Sequence, residues 1–211
     1  MITLFNTARK KGNARLPQIV RWMSYLLMIG GIAAVGYAAS ILAFGRTYQT
    51  LELRKFSNVP VPITEPHLPV IGEAIGEIQI ANVGLRAVII QGDSAQVLRI
   101  GVGHLPETPM PGEPGNIALA GHRDSFFRSL RRVHTGDIIT LRIDTGTFHY
   151  KVDSTTVVSS RDVGVLRPSG RNELTLVTCF PFNYVGAAPN RFIVHASEVG
   201  AHESVVSKQP L

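Results

Sequence analysis

The sequence predicts an all-β domain, a closed barrel of eight strands with one or two short helices, preceded by an N-terminal transmembrane helix. From residue 73 to residue 198, short apolar or alternating runs are separated by Gly, Pro, Asn and Asp, a pattern typical of short strands joined by turns. We count eight such runs, and eight strands can close a barrel that leaves no edge exposed. An uncharged segment of 23 residues near the N-terminus predicts the membrane helix.

The transmembrane helix is predicted over residues 22–45. Trp22 to Phe44 contains no charged residue, and a helix of that length rises roughly 35 Å, enough to cross a hydrocarbon core of about 30 Å. Residues 1–21 carry basic but no acidic side chains, so the positive-inside rule predicts a cytoplasmic tail and an exported C-terminal part. A cleaved signal peptide is the alternative, because Ala38-Ala39-Ser40 offers small residues for cleavage.

Two further segments flank the predicted domain. Residues 46–72 are predicted to form an extracytoplasmic linker, since the four prolines between Asn58 and Val70 favour extended backbone. Residues 199–211 are polar and are predicted to be a loosely held tail. The net charge of +6 falls to +1 without the five basic residues of the N-terminal tail, so we predict no nucleic-acid partner.

The predicted strands follow the apolar runs in order. Only two segments have a helical pattern, Asp93–Ile100 and Ser125–Val133, the second with Asp124 or Ser125 as its N-cap. The strands are Glu77–Ala81, Leu85–Gln91, Asn116–Ala120, Asp137–Ile143, Thr147–Val152, Thr155–Ser159, Leu174–Cys179 and Arg191–Ala196.

Cys179 is the only cysteine in the chain and ends one of these strands. A lone thiol cannot form an intramolecular disulfide, so it is either an inert buried side chain or a nucleophile. If its strand pairs antiparallel with the strand that begins at Arg191, the two side chains flank the base of one loop, with Cβ atoms about 5 Å apart. His122 follows the strand Asn116–Ala120. Three strand ends can thus bring a thiol, an imidazole and a guanidinium to one rim.

This set of groups is what acyl transfer by a thiol requires. A free thiol with a pKa near 8.5 is only a few per cent thiolate at neutral pH, and neighbouring cations favour the thiolate. An imidazole can protonate a departing amine and later deprotonate an incoming one, while a guanidinium can hold an oxyanion.

Four segments resemble a known family. They are GVGH at 101–104, PGEPGNIALAGHRDSFF at 111–127, the GD turn at 136–137 and TLVTCFPFNYVGAAPNRFIV at 175–194. In this order they resemble the sortases, membrane-anchored cysteine transpeptidases, over nearly the whole predicted domain. The glycine-rich region before His122 and the loop after Cys179 are most similar to class D sortases, with class E close.

The resemblance implies a sortase-type eight-stranded barrel and a role for each matching residue. It implies that Cys179 is the nucleophile, His122 the general acid and base, and Arg191 the group that positions the substrate and stabilises the oxyanion. Thr178 and His104 are candidate substrate-binding residues. Their alternatives are a plain strand residue for Thr178 and a loop-tethering residue for His104.

The resemblance also implies the reaction and the partners. Family members cleave a sorting signal of the Leu-Pro-x-Thr-Gly type after Thr and transfer the acyl group to an amine, either a peptidoglycan precursor or a pilin lysine. We predict no cofactor and no metal, because no His or Cys pair has zinc-ligand spacing. A thiol hydrolase on the same fold and a catalytically silent module that binds cell-wall or pilin peptides are the alternatives. The catalytic domain is expected on the cell surface or in a periplasm.

Overall fold

The computed structural model describes residues 15–58, 69–167, 170–200 and 203–204. The chain divides into two compact units, Met1–Phe44 and Gly45–Leu211. The first unit contains most of helix α1, which runs from Arg15 to Asn58. Within α1, Val20–Ser40 is long and apolar enough to cross a membrane, and none of it is buried.

Helix α1 continues beyond the predicted end of the transmembrane segment. Residues 46–58, predicted as the start of the linker, are helical, because this stretch contains no proline and several residues of high helix propensity. Most of the proline-rich segment, 59–68, lies outside the described residues.

The second unit is built on a closed barrel, which confirms the predicted fold. The barrel strands are β1 (Ala74–Ile80), β2 (Leu85–Gln91), β3 (Val102–His104), β4 (Asn116–Ala120), β5 (Ile138–Ile143), β6 (Gly146–Ser159), β7 (Glu173–Phe180) and β8 (Asn190–Glu198). These eight strands follow one another in the order β5-β1-β2-β3-β4-β7-β8-β6, and pairing between β5 and β6 closes the ring. A short ninth strand, β9 (Glu203–Ser204), falls in the predicted tail and pairs with β6.

The predicted number of barrel strands is right only because two errors offset each other. The predicted strands Thr147–Val152 and Thr155–Ser159 are one strand, β6, which passes through an irregularity between Val152 and Ser154 without ending. Strand β3 was not predicted, because its three residues Val102–His104 include a glycine and are too few to show a period.

Helices are few in the barrel unit. Helix α2 (Ala95–Ile100) begins after Ser94, whose hydroxyl accepts a hydrogen bond from the Val97 N–H. The second predicted helix is a 3-10 helix over Phe126–Arg132. Ser125, one of the two predicted N-cap residues, occupies the N-cap position but makes no capping hydrogen bond, since its φ and ψ of −125° and −106° are far from the extended conformation of a cap. Two single-turn 3-10 helices cover Ala81–Val83 and Gly164–Leu166.

The main hydrophobic core fills the barrel, and a smaller cluster covers the outer face of β2. Leu85, Ala87 and Ile89 point into the core, while Val88 and Ile90 pack with Val97 of α2 in the second cluster. Tyr48 and Leu53 of α1 pack against this second cluster. Residues 87–90 of β2 are therefore apolar without interruption because both faces of the strand are covered there.

Candidate active site

Strands β4 and β7 bring the predicted imidazole and thiol to one edge of the barrel. The two strands are parallel, and Ala120 of β4 is paired with Val177 of β7. His122 lies two residues beyond Ala120, and Cys179 lies two residues beyond Val177. Because parallel strands end at the same edge, the pairing register itself sets these two side chains side by side.

Hydrogen bonds at Gly121 and Thr178 hold the ends of the two strands close together. The Gly121 N–H donates to the Val177 carbonyl at 3.1 Å, and the buried Thr178 hydroxyl donates to the Gly121 carbonyl at 2.7 Å. A Cβ atom at position 121 would lie 2.7 Å from the ring of Phe127, which is buried in the core. Only glycine allows this close approach, so Gly121 and Thr178 together fix the backbone that carries His122 and Cys179.

Arg191 lies opposite Cys179 in the β7–β8 ladder, which confirms the predicted pairing. Its Nη1 donates to the carbonyls of Asn190 at 3.0 Å and Ala188 at 3.3 Å, so the guanidinium lies along the base of the β7–β8 loop. Three rings at this base, Phe180, Phe182 and Phe192, contact one another at centroid distances of 5.3 to 6.3 Å.

The three predicted catalytic side chains line one pocket of about 300 Å³. Cys179 is a free thiol and is partly buried. Within the described residues, neither Cys179 nor His122 makes a side-chain hydrogen bond, a common state for catalytic groups before substrate binds. The pocket is completed by Arg123, Asp124 and the loop residues Gly186, Ala187 and Ala188. A nucleophile, an acid–base group and a cationic donor in one small pocket suit acyl transfer.

Thr178 and His104 lie outside the lining of this pocket. The Thr178 hydroxyl is used in the bond to Gly121. His104 is fully buried, with Nδ1 2.8 Å from Oε1 of Gln91 and Nε2 2.9 Å from the Pro109 carbonyl. Burial lowers the pKa of His104 and outweighs the opposing effects of the Pro109 carbonyl and Glu113. These contacts join the end of β3 to the loop that follows it, which favours the loop-tethering alternative for His104.

Comparison with known proteins identifies the family. Residues 78–199, more than half of the chain, match the sortase domain. The chain belongs to the sortase family. A sortase D from Bacillus subtilis is 36% identical over 132 residues, which cover 62% of this chain and 67% of that protein. Sortases are cysteine transpeptidases that act on sorting-signal-bearing proteins and amine acceptors.

Solved sortase structures share the fold. A sortase D5 transpeptidase from Clostridium perfringens has a TM-score of 0.63 and 29% identity, covering 75% of this chain and 99% of that one. A sortase E from Streptomyces avermitilis has a TM-score of 0.57 and 27% identity, covering 67% of this chain and 97% of that one. These similarities support the predicted resemblance to class D and the closeness of class E.

Two residues that follow the histidine of this sortase also line the pocket. Arg123 was not predicted as a site residue, and its place next to His122 in the GHRD motif is the only sequence signal that points to it. Asp124 makes no side-chain hydrogen bond to any described residue, His122 included, so no Cys-His-Asp triad is formed in the described chain.

A metal site requires several ligand side chains close together. In the described ranges, no group of three or more His, Cys, Asp or Glu side chains is arranged to hold a metal ion. The acyl-transfer chemistry considered for this pocket requires only its protein side chains.

Proposed function

We propose that this chain is a membrane-anchored sortase that cleaves a Leu-Pro-x-Thr-Gly-like sorting signal after Thr and transfers the acyl group to an amine. The observation that carries the proposal is that Cys179, His122 and Arg191 line one pocket at the ends of β4 and β7 and the start of β8. The acceptor is a peptidoglycan precursor or a pilin lysine, and the product is a covalently anchored surface protein or a pilus.

The first half-reaction cleaves the signal. The Cys179 thiolate attacks the carbonyl carbon of the signal threonine, and the carbonyl oxygen takes up the electron pair as an oxyanion. Guanidinium donors of Arg191 stabilise that oxyanion. When the intermediate collapses, the amine of the next residue leaves with a proton from the His122 imidazolium, and a thioester remains on Cys179.

The second half-reaction transfers the acyl group. Neutral His122 removes a proton from the incoming amine as it attacks the thioester carbonyl. Cys179 leaves as a thiolate, and a new amide bond replaces the thioester. The thiolate and imidazolium that enter the first half-reaction are thereby restored, so no co-reactant other than the amine is consumed.

The two remaining candidate residues act through the backbone in this proposal. Thr178 holds the Gly121 carbonyl and thus the spacing of His122 from Cys179. His104 holds the loop after β3 through the Pro109 carbonyl, and any contribution to substrate binding comes through that loop.

Helix α1 supplies the membrane anchor in this proposal. Val20–Ser40 has the length and composition of a membrane span, and the basic residues that precede it keep the N-terminus cytoplasmic. The barrel then lies on the extracytoplasmic side, where sorting signals and envelope amines meet.

Substitution of the three pocket residues in the full chain, purified in detergent, tests the catalytic assignment. Intact mass spectrometry with a Leu-Pro-x-Thr-Gly peptide should detect an acyl adduct on the parent chain and none on Cys179→Ala. We expect His122→Ala to lower kcat/KM by about 10² to 10⁴, the usual contribution of a general acid–base. We expect Arg191→Lys to lower it by about 10² to 10³, as for the loss of an oxyanion donor.

Two exposed residues serve as matched controls. His134→Gln and Arg128→Lys change the same residue types outside the pocket and should leave kcat/KM within about twofold, as surface substitutions usually do. If the controls lose as much activity as the pocket variants, the assignment is wrong. Adducts that discharge only to water would identify the hydrolase, and peptide binding by Cys179→Ala without any turnover of the parent chain would identify the binding module.

A further inference from the structure

Arg123 joins two loops of the active site that are far apart in sequence. Its Nη2 donates to the Tyr184 carbonyl at 2.7 Å and to the Gly186 carbonyl at 2.9 Å, across 61 and 63 residues. The guanidinium carbon also lies 5.8 Å from the centre of the Tyr184 ring, within the range of a cation–π contact. One side chain next to His122 thus contacts the tip of the β7–β8 loop at three points.

The loop tip has few other attachments. Among the described residues, Arg123 is the one side chain outside the loop that donates a hydrogen bond to residues 182–187. Val185, between the two bonded carbonyls, is 96% exposed. Without Arg123, the tip would keep the backbone bond from Tyr184 to Pro181 and the aromatic contacts at its base.

One nitrogen of the Arg123 guanidinium lacks a hydrogen-bond partner among the described residues. Its Nη1 is buried and has no acceptor within the described part of the chain. An unpaired buried donor is unfavourable, so the side chain is held in this position by the contacts that its other groups make. Those contacts are the two loop carbonyls and the Tyr184 ring.

The clamped loop forms one wall of the catalytic pocket. Gly186, Ala187 and Ala188 line the same pocket as Cys179, and the Ala188 carbonyl accepts a hydrogen bond from Arg191. A mobile wall would have to be ordered each time a peptide binds, and that ordering entropy weakens binding.

We propose that Arg123 is a positioning residue that clamps the β7–β8 loop against the His122 loop and so preorganises the wall of the peptide pocket. The forked guanidinium suits this task because one nitrogen reaches two carbonyls while the central carbon lies over a ring. The proposal rests on the proposed function for its kinetic consequence and on the fold alone for its effect on the loop.

Amide hydrogen exchange of the full chain in detergent tests the clamp directly. In Arg123→Ala, the Tyr184 amide, which donates to the Pro181 carbonyl inside the loop, should exchange at least about tenfold faster, while β4, β7 and β8 keep their parent rates. Arg123→Lys, which offers one ammonium in place of the fork, should give an intermediate rate. Arg128→Ala is the control, because Arg128 is exposed and its side chain makes no hydrogen bond to a described residue.

Kinetics separate positioning from general damage to the fold. Arg123→Ala should lower kcat/KM for peptide acylation about 10- to 100-fold, mainly through a higher KM. Alkylation of Cys179 by iodoacetamide, a reagent too small to need the wall, should change less than about threefold.

A double-mutant cycle tests whether the loss of kcat/KM in Arg123→Ala comes from the loop. Gly186 has a φ of +99°, so Gly186→Ala strains the loop without a steric clash. Its effect on kcat/KM should be much smaller in the Arg123→Ala background, where the loop is already free, than in the parent chain.

Two results would overturn the proposal. One is parent-like exchange of the Tyr184 amide in Arg123→Ala; the other is faster exchange of that amide with an unchanged kcat/KM. A parent chain that forms no adduct with any sorting peptide would count against the proposed function instead, and the exchange comparison would still decide whether Arg123 clamps the loop.

Discussion

At the scale of single residues, His104 shows how one buried ring can hold a whole loop. Its two nitrogens contact Gln91 on one side and Pro109 on the other, and Thr108 in the same loop accepts a hydrogen bond from the Ala118 N–H of β4. Because burial lowers the pKa of His104, the neutral ring is the form that fits this site. Protonation therefore opposes the folded state.

This shift predicts how stability depends on pH. The folded pKa lies below the ordinary value of about 6.5, so between the two values the unfolded chain binds more protons. The contribution of His104 is complete above pH 6.5 and is lost as pH falls below it. Chemical denaturation of the full chain from pH 8 to pH 5 should show a steeper loss in the parent chain than in His104→Gln.

Both chains keep the remaining six histidines. The difference between their stability curves therefore reports the titration of His104 alone. Parallel stability curves for the two chains would mean that His104 titrates alike in the folded and unfolded states. The tethering account of His104 would then be wrong.

The sequence predicted the three side chains that meet in the pocket but not the loop contacts of Arg123. Cys179, His122 and Arg191 could be found because each stands at the end or start of a recognisable strand, and strand pairing sets their proximity. The partners of Arg123 are backbone carbonyls more than 60 residues away in an irregular loop. No local pattern encodes such a contact, because any residue offers a carbonyl.

At the scale of elements, the C-terminal part of helix α1 belongs to the barrel unit. The Gln49 side chain accepts a hydrogen bond from the Val88 N–H at 2.9 Å and donates one to the Ile100 carbonyl. Pairing of β2 with β3 begins one residue later, at Ile89 and Val102. The Gln49 amide therefore occupies the gap where the β2–β3 ladder has not yet started, and it satisfies two backbone groups there.

Removing this amide should destabilise the barrel unit. Gln49→Ala leaves the buried Val88 N–H without its partner, at a cost of about 1–3 kcal/mol in the free energy of unfolding. Faster hydrogen exchange at the Val88 amide should accompany the loss. Leu51→Ala is the control, because Leu51 lies in the same turn of the helix and is 62% exposed. Equal stability of the two variants would contradict the assigned role of Gln49.

Elements were predictable where the pattern was long and local. Uninterrupted or alternating apolar residues predict the Val20–Ser40 segment and the core strands. Strand β3 was not predictable, because its three residues are too few to show a period. The composition of residues 46–58 permits a helix, but the contacts of Tyr48 and Leu53 with the cluster on β2 could not be read from the sequence. The continuity of β6 through its irregularity is likewise set by its pairing with β8.

At the scale of the whole molecule, the barrel gathers the proposed catalytic side chains at one rim. The pocket draws on the ends of β4 and β7, the start of β8 and the loop between β7 and β8. The core strands give these ends a rigid base, while the loop contributes a wall that Arg123 holds. In the proposed function, bonds are broken at the rim and helix α1 tethers the chain to the membrane.

The most direct test of the central claim is the fate of the acyl group. The full chain in detergent is mixed with a Leu-Pro-x-Thr-Gly peptide and increasing concentrations of an amine, and the products are weighed by mass spectrometry. The account predicts a thioester on Cys179 that disappears as amine is added, with an amide-linked product of matching amount. Absence of any Cys179 adduct across varied signal peptides, or discharge only to water at every amine concentration, would contradict it.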